Sequence, residues 1–227
     1  MIPDMAAYMA ELSTVLPPDL PRRERVLDIS ARHLVRIAEI NSSMNLTRVL
    51  EPREAAIKHV LDSVLPWRKV EGHSPVLDIG TGAGFPGIPL AAAFPAQKFV
   101  LCESIKKKAA FVRDTALALG LVNVEVTDER AEETLKGKTF SLTLARAVSP
   151  LPKFLRLLAP VIANCGTILL YKGPDAAAEV AEAEQELRKT RLEPTLSSYA
   201  LPAEAGYRTL IELSRTSGRA SPKRRPR

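Results

Sequence analysis

The sequence predicts an α/β fold built on a mostly parallel sheet, and three observations carry that prediction. From residue 75 onward short apolar runs alternate with helix-like stretches: VLDIG, GIPLAAAF, KFVLCE, KKKAAFVRDTALALG, NVEVTD, SLTLARAV, PKFLRLLAPVIA and GTILLYKG. Strand, helix, strand repeated in this way means parallel strands covered by helices on both faces. The first run ends in a glycine-rich turn, GTGAGFPG (residues 80–87), at the sheet end where α/β proteins hold ligands. The final two apolar segments, LEPTLSSYAL and YRTLIELS, read as an antiparallel pair at the sheet edge.

Each element has its own signal. Over the first seventy residues Val26, Ile29, His33, Val35, Ile37 and Ile40 recur at three- and four-residue intervals, the period of a helix face. NSSMNLT (41–47) breaks that pattern with turn formers. EPREAAIKHVLDSVLPW restarts a helix with Pro52 in its first turn, where a missing amide hydrogen costs little. RKVEGHSP (68–75) separates a helical region, residues 1–70, from the sheet-bearing region, residues 71–214. Residues 176–190, rich in Ala and Glu, predict one more helix before the closing strands.

Composition narrows the function. With 227 residues at 46% hydrophobic content, the chain can bury one substantial core plus a smaller appendage. No stretch reaches the roughly 18–20 apolar residues of a membrane span, and the opening MIPDMAAYMAEL carries acids where a signal peptide has a basic start; a cytoplasmic protein without a membrane partner is expected. Cys102 and Cys165 are too few for a disulfide framework, and His33, His59 and His73 lack zinc-site spacing, so no metal is expected. The net charge of +6 sits in Arg215, Arg219, Lys223, Arg224, Arg225 and Arg227, leaving 26 cations against 26 anions in residues 1–212. That tail, 215–227, is expected to be disordered and reads either as a grip on phosphates or as a solvating extension. Arg22, Arg23 and Arg25, and Lys106, Lys107 and Lys108, are local basic clusters of the same two readings.

The glycine turn by itself admits two cofactors, since GAGFPG (82–87) also satisfies the dinucleotide pattern G-x-G-x-x-G. Glu103 closes the next strand about twenty residues on, where a carboxylate accepts from ribose hydroxyls, and fits both. Asp78, two residues before Gly80, separates them: a carboxylate there favours the sulfonium and amino groups of S-adenosylmethionine and repels a pyrophosphate. A carboxylate that only caps the loop is the other reading of Asp78.

NSSMNLT, KHVLDS, DIGTGAGFPGIPLA, LARAV and YKG occur in the order and approximate spacing of the bacterial small-subunit ribosomal RNA methyltransferase G family, RsmG or GidB, which the chain resembles from residue 30 to about 213. The resemblance implies a Rossmann-like class I S-adenosylmethionine-dependent methyltransferase fold with an antiparallel final strand and an N-terminal helical extension. It implies transfer of the methyl group of S-adenosyl-L-methionine to N7 of one guanine in 16S ribosomal RNA, with the free RNA or the small ribosomal subunit as partner of a monomer. The implied cofactor contacts are the backbone of Gly80, with Gly82 and Gly84 shaping the loop, then Phe85, Glu103 at the ribose, Ala131 and Glu132 at the adenine, and Arg146. Ala131 and Glu132 also read as an ordinary helix start, and Arg146 as a surface ion pair.

Guanine N7 carries a free lone pair, so no general base is required and no catalytic residue is assigned. The sequence fits direct attack: it lacks the Asn/Asp-Pro-Pro-Tyr motif used on exocyclic amines and a Pro-Cys nucleophile. Arg146 is not expected to read N7, because a guanidinium there would block the nucleophile. Asn45, His59, Asp62 and Lys172 are the substrate candidates, since they stand in the shared motifs outside the cofactor loop. His59 and Asp62, at i and i+3, equally suit a pin between helix and sheet, and Lys172 an ordinary strand end. A methyltransferase of another RNA or a small molecule, and a dinucleotide binder, are the rival readings.

Overall fold

The computed structural model describes residues 4–203 and 205–215. One seven-stranded sheet runs in the order β3-β2-β1-β4-β5-β7-β6. The strands are β1 Val76–Ile79, β2 Phe99–Cys102, β3 Val124–Thr127, β4 Phe140–Arg146, β5 Cys165–Lys172, β6 Leu192–Ala200 and β7 Tyr207–Arg215. β1 to β5 pair in parallel, and β7 lies antiparallel to both β5 and β6. The expected final pair is therefore present, with β6 as the edge and β7 inserted beside β5.

Alternate residues of the strands feed two cores, as the two-residue period of a strand requires. Leu169 and Tyr171 of β5 join a cluster with Leu101, Leu142 and Leu144, while Ile168 and Leu170 join another with Phe154, Leu155 and Leu187. Helices α1 Met5–Val15 and α2 Arg23–Met44 belong to the first cluster through Tyr8, Leu12, Leu34 and Ile37, so the N-terminal region packs directly on one face of the sheet. α5 Gly87–Ala93 and α6 Lys106–Ala118 complete that face. α7 Ala131–Leu135, α8 Leu151–Leu158, α9 Ala176–Glu182 and α10 Glu184–Thr190 cover the other.

Two helices differ from expectation. Residues 176–190 form α9 and α10, broken at Ala183, whose side chain is fully buried and whose backbone (φ −91°, ψ 5°) leaves the helical path. The helix after Pro52 is interrupted: α3 Pro52–Ala55 passes into a π-helical turn, Ala56–Leu61, before α4 Asp62–Val64. A tertiary anchor holds this wider turn, since the Arg146 side chain donates to the Lys58 and His59 carbonyls, and the Tyr171 hydroxyl donates to the Ser63 carbonyl just beyond it. No described helix is long and apolar enough to cross a membrane. The expected basic tail lies, from residue 216, outside the described residues.

Candidate active site

β1 stands between β2 and β4, so the chain leaves the sheet centre in opposite directions on its two sides. Ligands of α/β sheets bind at such a reversal, beyond the carboxyl ends of the strands. The turn after β1 is the glycine loop, and Arg146 is the last residue of β4.

Carboxylates bonded to its backbone hold the glycine loop. Asp78 is fully buried, and its Oδ2 accepts from the Thr81 hydroxyl (2.7 Å) and from the amide of Gly87 (3.0 Å), the first residue of α5. Its Oδ1 is buried without a partner. Burial lifts this carboxyl from 3.8 to about 6, against the pull of those two hydrogen bonds and of Arg146. Glu103 accepts from the Gly82 amide (3.1 Å) on one oxygen and from the Ile105 amide (2.8 Å) on the other, and keeps 7% exposure. The loop-capping role of Asp78 is thus realised in its bonds to Thr81 and Gly87.

Glycine is required at two points for different reasons. A Cβ on Gly87 would stand 2.1 Å from Leu101 Cδ2 and 2.8 Å from Asp78 Oδ2, so only hydrogen fits between helix and strand. At Gly82 the backbone (φ +61°) favours glycine, and an added Cβ would meet nothing closer than 3.9 Å: the loop faces open space there. Gly84 (φ +103°) lies against Ile88 and His33, and Gly80 beside Val148, which ties the loop after β4 to the loop after β1.

His33, read from sequence only as one of the inward-facing positions of α2, is a residue of this site. Fully buried, it donates from Nε2 to the Ala83 carbonyl (2.7 Å), and burial drives its pKa to about 3. Its ring stacks on Phe85 at 4.6 Å, and His59 stacks on the same Phe85 at 4.9 Å. His59 donates from Nε2 toward the Val49 carbonyl and the Thr47 hydroxyl, and burial followed by the Arg146 charge lowers its pKa to about 4. Both imidazoles are neutral at pH 7 and serve as flat, uncharged walls around Phe85.

The other side of the site is an ionic hub. Asp62 is 1% exposed; its Oδ1 accepts from Arg208 Nε (2.8 Å) and the Tyr199 hydroxyl (3.2 Å), and its Oδ2 from Arg208 Nη2 (3.0 Å) and Arg146 Nη1 (3.2 Å). Arg146 Nη1 also donates to the carbonyls of Lys58 and His59, at the π turn, and its guanidinium lies 5.4 Å from the Phe85 ring centre. Among the described residues, its side-chain hydrogen bonds all leave from Nη1. The following residue, Ala147, turns with φ +53°, a conformation uncommon for a side-chain-bearing residue and often found at functional sites.

Two substrate candidates are buried in ion pairs within the protein. Asp62 is surrounded by four donors and closed off from solvent, so it has nothing left to offer a base; it fixes Arg146 instead. Lys172 is 8% exposed and donates to Glu179 (2.7 Å) and to the Ser149 carbonyl (3.0 Å), while Glu179 also accepts from the Leu151 amide. That pair staples the loop after β4 and leaves no free ammonium for RNA. Asn45 ends α2 in the left-handed region (φ 51°) with its side chain exposed. Ala131 and half-buried Glu132 open α7, whose preceding residue, Arg130, supplies no side-chain cap. Arg208 and His33 carried no sequence signal: each is one residue in a pattern that fits a surface strand or a helix face. Ile105, 47% exposed, is an aliphatic side chain set beside Glu103.

This fold, with its two loops meeting at the sheet reversal, is that of a Rossmann-like class I S-adenosylmethionine-dependent methyltransferase. Solved structures share it at low identity: an O-methyltransferase from Bacillus cereus in complex with SAH (TM-score 0.59, 15% identity, 93% of this chain and 97% of that one), and the O-methyltransferase TomG from Streptomyces achromogenes in complex with SAM (0.55, 18%, 81% and 89%). The family model described as rRNA small subunit methyltransferase G matches residues 29–201. A ribosomal RNA small subunit methyltransferase G of Solibacter usitatus is 50% identical over 207 residues, 91% of this chain and 99% of its own length. One of the same name from Sorangium cellulosum is 42% identical over 165 residues, 70% of this chain and 69% of its own. The chain belongs to the rRNA small subunit methyltransferase G family.

Proposed function

We propose that this protein transfers the methyl group of S-adenosyl-L-methionine to N7 of a single guanine in 16S ribosomal RNA, acting as a cytoplasmic monomer. The observation that carries the cofactor half is the use of the loop amides. In a dinucleotide site the glycine-loop and helix-start amides face a pyrophosphate. Here Gly82 and Gly87 donate theirs to Glu103 and Asp78, so a phosphate would meet two carboxylates. The same carboxylates suit a sulfonium and an ammonium group. Open space before Gly82 and the unpartnered Asp78 Oδ1 fit a bound cation.

The residues divide the work as follows. Gly82 leaves the loop backbone bare toward the cofactor, while Gly80 and Gly84 shape the loop against Val148, Ile88 and His33. Glu103 offers lone pairs to ribose hydroxyls, and Ile105 offers an apolar face to the adenine, whose amino edge meets the main chain of Ala131 and Glu132. Phe85, walled by His33 and His59 and facing Arg146, excludes water from the methyl side. Bound there, S-adenosylmethionine supplies a methyl group on a positively charged sulfur. Guanine N7 needs no proton removed, so the chain's contribution is orientation and dryness, worth up to roughly 7–11 kcal/mol in model reactions. Two neutral histidines fit that role better than charged ones, because N7 gains positive charge as it is alkylated. Asn45, exposed at the end of α2, and His59 are the candidates to meet the base or its flanks. The RNA must present the guanine unstacked.

The test is a map of N7-methylguanine in small-subunit RNA from cells with and without the gene. Loss of one modified position is expected; an unchanged map refutes the assignment.

A further inference from the structure

A groove of about 560 Å³ runs between α2 and α6, floored by Ile40, Met44 and Phe111 and walled by Arg36, Glu39, Ser43, Lys107 and Asp114. Its volume is that of sites for small organic groups, roughly 300–1,000 Å³. The helices are antiparallel across it: Arg36 bonds Thr115 and Arg32 reaches the Ala118 carbonyl, which leaves Lys107 opposite Met44 at one end. That end is linked to the candidate active site through the chain. Lys107 is two residues from Ile105, whose amide Glu103 holds, and Met44 adjoins Asn45 and the loop whose Thr47 bonds His59.

The charges along the groove form no ion pairs. Among the described residues, Arg36, Glu39, Lys107 and Asp114 make none, and neither do Lys106 and Lys108 beside Lys107 in the chain. Lysines in the first turn of a helix are electrostatically unfavourable, since that end of the helix dipole is already positive. Three together, with no acid in the turn, give this helix start a positive field that suits phosphates, and Lys107 brings it to the groove wall. The floor is apolar, as the face of a base requires. Glu39, Ser43 and Asp114 accept from exocyclic amino groups and 2′-hydroxyls, the groups single-stranded RNA exposes. We infer that this groove seats an unpaired nucleotide flanking the target guanine, with Lys107 on its phosphate. The inference rests on the RNA-methylating reading above and adds the path by which the strand leaves the site.

Three exposed positions test it. Lys107→Glu and Ala110→Glu place negative charge or bulk in the groove, and Lys98→Glu makes the same charge change at the opposite end of the sheet. Small-subunit methylation by the full chain is measured against RNA concentration and salt, with S-adenosylhomocysteine affinity measured separately. Both groove variants are expected to raise KM for RNA at least fivefold and to flatten the salt dependence by about one unit for Lys107→Glu. kcat at saturating RNA, S-adenosylhomocysteine affinity and the Lys98→Glu variant should stay within twofold of the unaltered protein. Unchanged KM in both groove variants, or an equal rise with Lys98→Glu, overturns the groove while leaving the enzyme's activity intact. An unaltered chain that binds S-adenosylhomocysteine and methylates no RNA overturns the underlying reading, and the groove with it.

Discussion

The two halves of the site are held by opposite means. On the β1–β2 side, carboxylates bind backbone amides: Asp78 to Gly87, Glu103 to Gly82 and Ile105. On the β4–β7 side, carboxylates bind cations: Asp62 to Arg146 and Arg208, Glu179 to Lys172. The first arrangement shapes a loop whose residues are fixed by backbone geometry, tight at Gly87 and open at Gly82. The second assembles pieces distant in sequence, 84 residues apart for Asp62 and Arg146 and 146 for Asp62 and Arg208, through ion pairs between side chains.

Breaking the ionic half should cost most. Asp62→Ala leaves two guanidinium groups facing each other without their carboxylate, and removal of one partner of a buried ion pair typically costs about 3–5 kcal/mol. Urea unfolding should show that loss, together with weaker RNA methylation. A small change would mean that the hub is solvated and holds nothing.

Gly87→Ala attacks the backbone-held half. The added methyl needs Leu101 and Asp78 to move, an overpacking cost of about 1–3 kcal/mol. It also displaces the bond that seats α5. Stability and S-adenosylhomocysteine affinity, followed by calorimetry, should fall together; retained affinity would mean that the loop position does not depend on Asp78.

Acidification separates the halves further, because His33, His59 and Asp78, whose pKa values are displaced within the acid range, lie around the loop and Phe85. His33 and His59 are lowered from 6.5 to about 3 and about 4, so the stability they give is present above pH 6.5 and is lost as pH falls. Asp78 is raised from 3.8 to about 6, so its contribution is present below 3.8 and lost as pH rises through 6, opposing one histidine between pH 4 and 6. The three together leave one excess proton on the unfolded chain there, a loss of about 1.4 kcal/mol per pH unit of acidification. Denaturant unfolding at stepped pH should show that slope from these groups, and His33→Gln should flatten it; an unchanged slope would place His33 in contact with water.

Gly82→Ala has the smallest expected effect on folding. The left-handed backbone costs about 1–2 kcal/mol for a side-chain-bearing residue, and no protein atom is in the way. The methyl group enters the open face, so S-adenosylhomocysteine affinity should drop by more than stability does. Equal losses would mean that this face is not the cofactor side.

The same contrast explains what the sequence made legible. The sheet, the glycine loop, Glu103 and the closing antiparallel pair are local patterns: a buried run, a turn that needs glycine, an acid at a strand end. The hub is not local. Asp62 and Lys172 look like available polar groups until Arg208 and Glu179 are brought to them by β7 and α9, and burial then removes them from contact with substrate. The π turn was equally hidden, because Ala56–Leu61 keeps helical composition while tertiary bonds from Tyr171 and Arg146 stabilise the wider path. His33 fitted the apolar stripe of α2, and only its bond to the Ala83 carbonyl shows that it supports the loop.

The most direct test of the central claim is chemical. Small-subunit RNA from cells lacking the gene is incubated with the purified chain and S-adenosylmethionine labelled in its methyl group, then treated with borohydride and aniline, which cleave at N7-methylguanine. The account predicts one label per RNA and one new cleavage, both at the same guanine. Label without cleavage, label spread over many bases, or no label at all would contradict it.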